Sequence, residues 1–352
     1  MSLTQLARAR VQQLTPYQSA RRIGGQGHVW LNANEAADSG QFSLNCERLN
    51  RYPECQPPQV IERYAAYAGL APERVLVSRG GDEGIELLIR TFCEPGRDSI
   101  LICPPTYGMY AISAETNGVN VVEVPLTDSR QPDFDAIIAR LGEVKLVFLC
   151  SPNNPTGDLV DRAGLLRLLN AAKGRALVVV DEAYIEFCPE HSQADLLAEF
   201  DELVIIRTLS KAFGLAGIRC GFTLACPEVI GLLLKVIAPY PVPDPVAQIA
   251  AQALSEEGLL LMRQRVDEIN QLKAELAEEL LQHPQVNEVF APNGNYLLVR
   301  FTPGSDMFAR MSRAGIILRD FASRPGLADC IRITIGSRAE MDAVRDVLQK
   351  EQ

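Results

Sequence analysis

Between about Val60 and about Ala225 the chain repeats one pattern: a short apolar run, a loop carrying glycine or proline, then an amphipathic stretch at helical spacing. Ala176-Leu177-Val178-Val179-Val180 contains no polar residue at all. A strand that is apolar at every position is buried on both faces, which happens when helices cover both sides of a parallel sheet. The repetition therefore predicts an α/β fold with a mostly parallel, doubly wound sheet. Ligands of such sheets sit beyond the carboxyl ends of the strands, so the residues that follow each apolar run are the first candidates for chemistry.

The 352 residues allow roughly two domains. The expected division is a large α/β domain over 41–258 and a smaller α+β domain made of 1–40 and 259–352. Helical sequence beginning at Cys226 is interrupted by Pro239-Tyr240-Pro241-Val242-Pro243-Asp244-Pro245, and Leu259 to Gln282 reads as one long helix joining the two parts. Strands are expected near Val286–Phe290, Tyr296–Phe301, Gly315–Leu318 and Ile331–Ile335, with helices near Met307–Ala314 and Ala339–Lys350. The segment up to about Gly40 is expected to pack against them.

Four strand ends carry polar groups. After one apolar strand, Ser210-Lys211 is followed by small residues and then Arg219. An amine there becomes a nucleophile toward a carbonyl when desolvation or a nearby cation lowers its pKa, and a guanidinium with a hydroxyl beside it can grip a phosphate. Asp181 ends the run at 176–180 and points toward the crevice, where a carboxylate can keep a pyridine nitrogen protonated. Ser151-Pro152-Asn153-Asn154-Pro155-Thr156-Gly157 follows Val144–Cys150, and its prolines hold the Asn154 amide in a fixed direction. The strand Val75–Ser78 turns through Gly80 and Gly81 into a helix whose first N–H groups favour an anion. Read singly, each has a plainer role: a surface lysine, a helix N-cap aspartate, a turn, a well-capped helix. Near the C-terminus Arg319 and Arg332 follow β-branched runs, where each could clamp an oxyanion or make a surface salt bridge.

In this order, over almost the whole chain, these segments resemble the fold type I pyridoxal-phosphate aminotransferases. The resemblance implies that Lys211 bonds the cofactor's aldehyde carbon, that Asp181 bonds its pyridine nitrogen, and that Asn154 and Tyr184 contact its ring oxygen. Tyr107 would stack on the ring, while Ser210, Arg219 and the Gly81-Asp82 backbone would hold the phosphate of pyridoxal 5'-phosphate. Catalysis would fall to Lys211, Asp181 and Tyr184. Leu14–Arg22, Leu31-Asn32-Ala33-Asn34-Glu35, Asn50-Arg51-Tyr52-Pro53, Asp181–Phe187, Ile317–Asp320 and Ile331–Gly336 are most similar to the histidinol-phosphate aminotransferase family. That likeness implies transamination of L-histidinol phosphate with 2-oxoglutarate, giving imidazole acetol phosphate and glutamate in histidine biosynthesis. Tyr17, Asn34, Tyr52, Arg319 and Arg332 would meet the substrates, and Tyr52 would reach the partner site of a homodimer. An aromatic amino acid aminotransferase or a phospho-amino-acid decarboxylase would carry nearly the same motifs. A cofactor-sensing regulator would need a basic DNA-binding domain, and about forty residues ahead of the site's first elements leave no room for one.

Composition agrees with a cytoplasmic enzyme. A net charge of −10 argues against nucleic-acid or acidic-membrane surfaces, so phosphate recognition has to be local. No apolar segment approaches the roughly 20 residues that cross a bilayer, and residues 1–13 do not read as a signal peptide. Nine cysteines without a C-x-x-C pair read as reduced thiols. The three histidines lie far apart in no metal-binding spacing, and no G-x-S-x-G elbow occurs.

Overall fold

The structure is a computed structural model that describes residues 2–15 and 26–350. Its strands are β1 Val29–Trp30, β2 Val75–Ser78, β3 Ser99–Ile102, β4 Asn120–Glu123, β5 Leu146–Cys150, β6 Leu177–Asp181, β7 Leu203–Thr208, β8 Gly221–Leu224, β9 Val286–Val289, β10 Tyr296–Phe301, β11 Ile316–Ile317, β12 Arg319–Asp320 and β13 Cys330–Thr334. Its α-helices are α1 Ala9–Gln13, α2 Pro58–Ala68, α3 Gly81–Phe92, α4 Met109–Asn117, α5 Phe134–Ala139, α6 Arg162–Ala172, α7 Pro227–Leu233, α8 Asp244–Ala253, α9 Glu256–Leu281, α10 Met307–Arg313 and α11 Arg338–Gln349.

Seven strands form one sheet in the order β2-β8-β7-β6-β5-β3-β4. β3, β4, β5, β6 and β7 pair in parallel, whereas β8 lies antiparallel to both β7 and β2. β8 alone therefore runs against the rest. The apolar runs are buried because alternate residues feed two cores. In β5, Val147 and Leu149 enter one core while Leu146 and Phe148 enter the other; in β6, Val178 and Val180 oppose Val179 in the same way. Both faces are thus helix-covered, as the unbroken apolar sequence requires.

A second sheet, β12-β13-β10-β9, is antiparallel throughout. The expected strand at 315–318 shortens to β11, which pairs in parallel with β1 at Val29–Ile316 and Trp30–Ile317, and a further strand just beyond it, β12, joins the edge of the antiparallel sheet. Leu318, between them, is buried and belongs to neither. Val29 and Trp30 are thereby hydrogen-bonded to the C-terminal part. α9 starts at Ser255, whose side chain accepts from the Gly258 N–H, and buries Met262, Val266, Ile269, Leu272, Leu276 and Leu280 along one stripe. It packs on α8 at one end and on β9, β10 and α11 at the other.

The loop after β5 is pressed against the antiparallel sheet. Gly157 has φ +79°, and a Cβ there would lie 1.9 Å from the Ala291 carbonyl oxygen, so both its conformation and its space demand glycine. The Asn293 amide donates to the Gly157 carbonyl at 2.9 Å, and the Tyr296 hydroxyl donates to the Asn153 carbonyl.

Behind β6 lies a closed charge cluster. Arg207 and Glu182 form a buried ion pair at 2.7 Å, and Glu182 also accepts from the Gln193 N–H and the Ser192 hydroxyl. Glu186 is buried beside them, with no partner from another residue for either carboxylate oxygen. Burial pushes its carboxyl up to about 7; Arg207 opposes this shift and Glu182 adds to it. The folded protein therefore retains a proton that the unfolded chain releases above about pH 4.5, and stability falls as pH rises toward 7. Glu186→Gln should gain on the parent protein by about 2–3 kcal/mol between about pH 5 and about pH 8. Urea unfolding of the cofactor-free proteins at the two pH values checks this, and a constant difference would refute it.

Candidate active site

Lys211 follows β7 at the carboxyl edge of the large sheet. Its ammonium donates to the Ala33 carbonyl at 3.1 Å and lies 5.7 Å from the centre of the Tyr184 ring. Burial pushes its pKa down to about 8, and Arg332 is the cation that helps most; Asp82 and Glu35 oppose the shift. Arg219, eight residues on in sequence, contributes least of these groups.

Arg219 has the left-handed conformation at φ 54°, which turns its side chain back over the start of α3. One guanidinium nitrogen donates to the Ala216 carbonyl at 3.1 Å and faces the Ser210 hydroxyl at 3.5 Å; another meets Asp82 Oδ2 at 3.2 Å. A Cβ on Gly80 would stand 2.7 Å from that guanidinium, and one on Gly221 would stand 2.4 Å from the Gly80 carbonyl carbon. Among the described residues no side chain caps the start of α3, whose N-cap is Gly80, and Glu83 accepts instead from the Arg79 N–H at 2.6 Å. The Gly81 and Asp82 end of the helix thus presents N–H donors beside Arg219 and Ser210, an arrangement suited to an anion. Tyr107, half-buried, donates from its hydroxyl to Asp82 Oδ1 at 2.9 Å.

Asp181 closes β6 in register with Cys150 of β5. It caps no α-helix: Oδ1 accepts from the Ala183 N–H at 3.1 Å, and Oδ2 accepts from the Tyr110 hydroxyl at 2.7 Å. Burial raises its carboxyl to about 6; the two hydrogen bonds pull it down, and Asp82 and Glu182 push it up.

The other wall is a hydrogen-bonded chain. The Tyr184 hydroxyl accepts from the Asn34 amide at 3.0 Å and lies 3.5 Å from the Asn154 amide nitrogen. Asn154 Oδ1 accepts from Arg332 at 2.6 Å, and Arg332 also donates to the Asn32 carbonyl at 2.9 Å. Asn34, at φ 54°, uses its side-chain oxygen on Thr334 at 3.1 Å, while its carbonyl accepts from Asn295 at 3.0 Å. Arg319 is the direct cross-strand partner of Arg332. Like charges opposite each other on one sheet face are unfavourable, and an anion between them relieves the repulsion.

Lys211, Asp181, Tyr184, Asn154, Asn34, Ser210, Arg219, Gly81, Asp82, Tyr107, Arg332 and Arg319 therefore meet at one edge of the two sheets. Tyr52 makes its contact elsewhere: it is 78% exposed, and its ring stacks on Tyr240 at 4.4 Å. Tyr17 lies outside the described residues. Sequence reasoning passed over Tyr110, whose place three residues after Tyr107 at the start of a helix was the available signal. It also passed over Asn32, Thr334 and Asn295, whose roles depend on contacts across the whole chain.

The family model described as aminotransferase class I and II matches residues 24–348. A histidinol-phosphate aminotransferase of Aeromonas hydrophila is 67% identical over 99% of this chain and 98% of its own length. One from Pectobacterium atrosepticum is 60% identical over 99% and 98%. Among solved structures, the histidinol-phosphate aminotransferase from Sinorhizobium meliloti in complex with pyridoxal-5'-phosphate has a TM-score of 0.84 at 21% identity, covering 98% of each chain. That from Clostridium acetobutylicum has a TM-score of 0.81 at 24% identity, covering 91% of this chain and 99% of its own. These likenesses fix the fold as that of the type I pyridoxal-phosphate transferases. The matched model and the sequence identity together make the chain a member of the class I and II aminotransferases, in the histidinol-phosphate aminotransferase family.

Proposed function

We propose that this aminotransferase moves the amino group of L-histidinol phosphate to 2-oxoglutarate, forming imidazole acetol phosphate and glutamate. The observation that carries the substrate choice is the Arg319–Arg332 pair abreast on one sheet face, with Arg332 the main cation acting on Lys211. A substrate with an anion at the end opposite its reacting amine matches that spacing of charges. The phosphate of histidinol phosphate would take this place first, and a carboxylate of the oxo acid would follow.

The residues present fit pyridoxal 5'-phosphate. Gly80 and Gly221 let the turn before α3, the strand β8 and the Arg219 guanidinium pack closely, which sets Arg219 and Ser210 beside the open start of α3, as a phosphate needs. Asp181 is a buried carboxylate whose strongest charged neighbours are acidic, so a cationic ring nitrogen is a favourable partner for it. Tyr184 and Asn154 offer a hydroxyl and an amide for a ring oxygen, and Tyr107 offers an aromatic face. When bound, pyridoxal phosphate supplies an aldehyde carbon that holds the amine and a ring that stabilises negative charge on the substrate carbon.

The chain's own side chains do the remainder. Lys211, with its pKa near 8, spends a useful fraction of time uncharged at neutral pH and takes the proton from the amine-bearing carbon, returning it on the cofactor side. Arg332 keeps that amine from holding its proton and orients the substrate's anion. Asn34 fixes Tyr184 through its amide, so its contribution to substrate binding is made through that tyrosine. Tyr17 would add a donor to the same anion. Tyr52, exposed with Tyr240 beside it, would complete the site of a second subunit in a homodimer. The cytoplasm suits nine free thiols, and no helix among the described residues is long and apolar enough to cross a membrane.

Lys211→Ala should purify without the absorbance of lysine-bound cofactor and lose nearly all turnover. The parent enzyme should prefer histidinol phosphate to phenylalanine and to phosphothreonine in single-turnover absorbance assays, and a preference for either alternative overturns the substrate choice. In the cofactor-free protein, labelling of Lys211 by an amine-reactive reagent should titrate near 8, and Arg332→Gln should move that midpoint upward because a repelling cation is lost. Mass spectrometry of the labelled peptide across pH reads both. Mixing inactive Tyr52→Ala and Lys211→Ala chains should restore roughly a quarter of the sites, since half of a statistical mixture is heterodimer with one complete site each. No recovery after subunit exchange argues against Tyr52 crossing between subunits.

A further inference from the structure

One buried side chain at the site has no part in the reaction as described so far. Tyr110 sits on the first turn of α4 with its ring stacked on Phe148 at 4.9 Å and 15°. The edge contact to Tyr107, at 5.6 Å and 85°, places it against the aromatic that would face the cofactor ring. Its hydroxyl, fully buried, donates to Asp181 Oδ2 at 2.7 Å. A phenol in that position needs a partner, and it donates to Asp181, with the Cys150 thiol also beside its oxygen.

The chemistry of this pair differs from an ion pair. A lysine or arginine beside Asp181 would cancel the carboxylate's charge and leave little for a ligand. Tyr110 and the Ala183 N–H are neutral donors, one on each oxygen, so they favour and orient the charged form while leaving its charge in place. Two donors from different elements, α4 and the loop after β6, also fix the plane of the carboxyl group. Burial works against ionisation of this carboxyl, and the Tyr110 bond is the largest effect opposing it.

We infer that Tyr110 is a positioning residue for the cofactor: its hydroxyl holds Asp181 ionised and aimed, and thereby sets how firmly the ring nitrogen is kept protonated. The inference rests on the proposed assignment of Asp181 to that nitrogen. It makes the aromatic ring of Tyr110 a packing element and its oxygen a functional one, so Tyr110→Phe separates the two.

The test measures binding of pyridoxal 5'-phosphate and of its 1-deaza analogue, which lacks the ring nitrogen, to the cofactor-free parent protein, Tyr110→Phe, Asp181→Asn and the double variant. Tyr110→Phe should bind pyridoxal phosphate about tenfold more weakly, the scale of one hydrogen bond to a charged group, and bind the analogue as the parent does. In the Asp181→Asn background the same change should cost nothing further. Equal losses for both ligands, no loss for either, or a full additional loss in the double variant would each overturn the inference. If the parent itself does not discriminate between the two ligands, the Asp181 assignment fails, and the role of Tyr110 fails with it. Melting of the cofactor-free variants shows whether the fold survives. A Tyr110→Phe protein that melts with the parent yet loses its preference for the nitrogen-bearing ligand is the supporting result.

Discussion

The Arg332 guanidinium is the contact on which the site's geometry depends. It bonds Asn154 at 2.6 Å and the Asn32 carbonyl at 2.9 Å, and it lies 5.4 Å from the ring centres of both Tyr296 and Phe321. Three segments with no local reason to meet are brought together by one buried cation: the N-terminal stretch, the loop after β5, and β13 of the antiparallel sheet. Charge-assisted hydrogen bonds and aromatic faces offset the cost of desolvating it. The same charge depresses the Lys211 amine and faces Arg319, so the positions of the nucleophile and of the anion site follow from a single side chain.

The cleft is electrically polar along its length. Arg332, Arg319 and Lys211 gather at one end, while Asp181, a buried acid with acidic neighbours, lies beneath the other wall. Charged groups that the fold fixes before a ligand arrives need no reorganisation when it binds, which is how a preorganised site favours binding and reaction.

What could be read from sequence was what depends on near neighbours. The apolar runs located β5 and most of β6 and β7, because burial on both faces calls for apolar side chains, and the polar residues at or beyond their ends, Asp181, Lys211 and Asn154, were singled out for the same reason. Expected strands at the C-terminus were close, except that 315–318 shortens to β11 beside β1 and a further short strand, β12, follows it beside β13. What escaped was non-local. Arg219 is the arginine that the sequence sets beside Ser210-Lys211, yet Arg332 acts more strongly on the Lys211 amine from another sheet. Asn34 read as a substrate contact, and its links to Tyr184 and Thr334, made from a left-handed backbone, were not visible in the sequence. Tyr110 lay in plain view, but its hydrogen bond joins a helix to a strand that the chain reaches much later.

The lone reversed strand has a consequence for how the protein is made. β2 lies at an edge of the large sheet, and its one neighbour there is β8, with Ser78 opposite Gly221. While the chain emerges from the ribosome, β3 to β7 can assemble among themselves, but β2 has no strand to bond until β8 has appeared. The glycine turn at Gly80, packed on Gly221, therefore cannot take its final shape before β8 is made. The nascent chain must carry an apolar strand with an open edge while residues 79–220 are added, a period in which chaperone binding or association with another copy competes with completing the sheet.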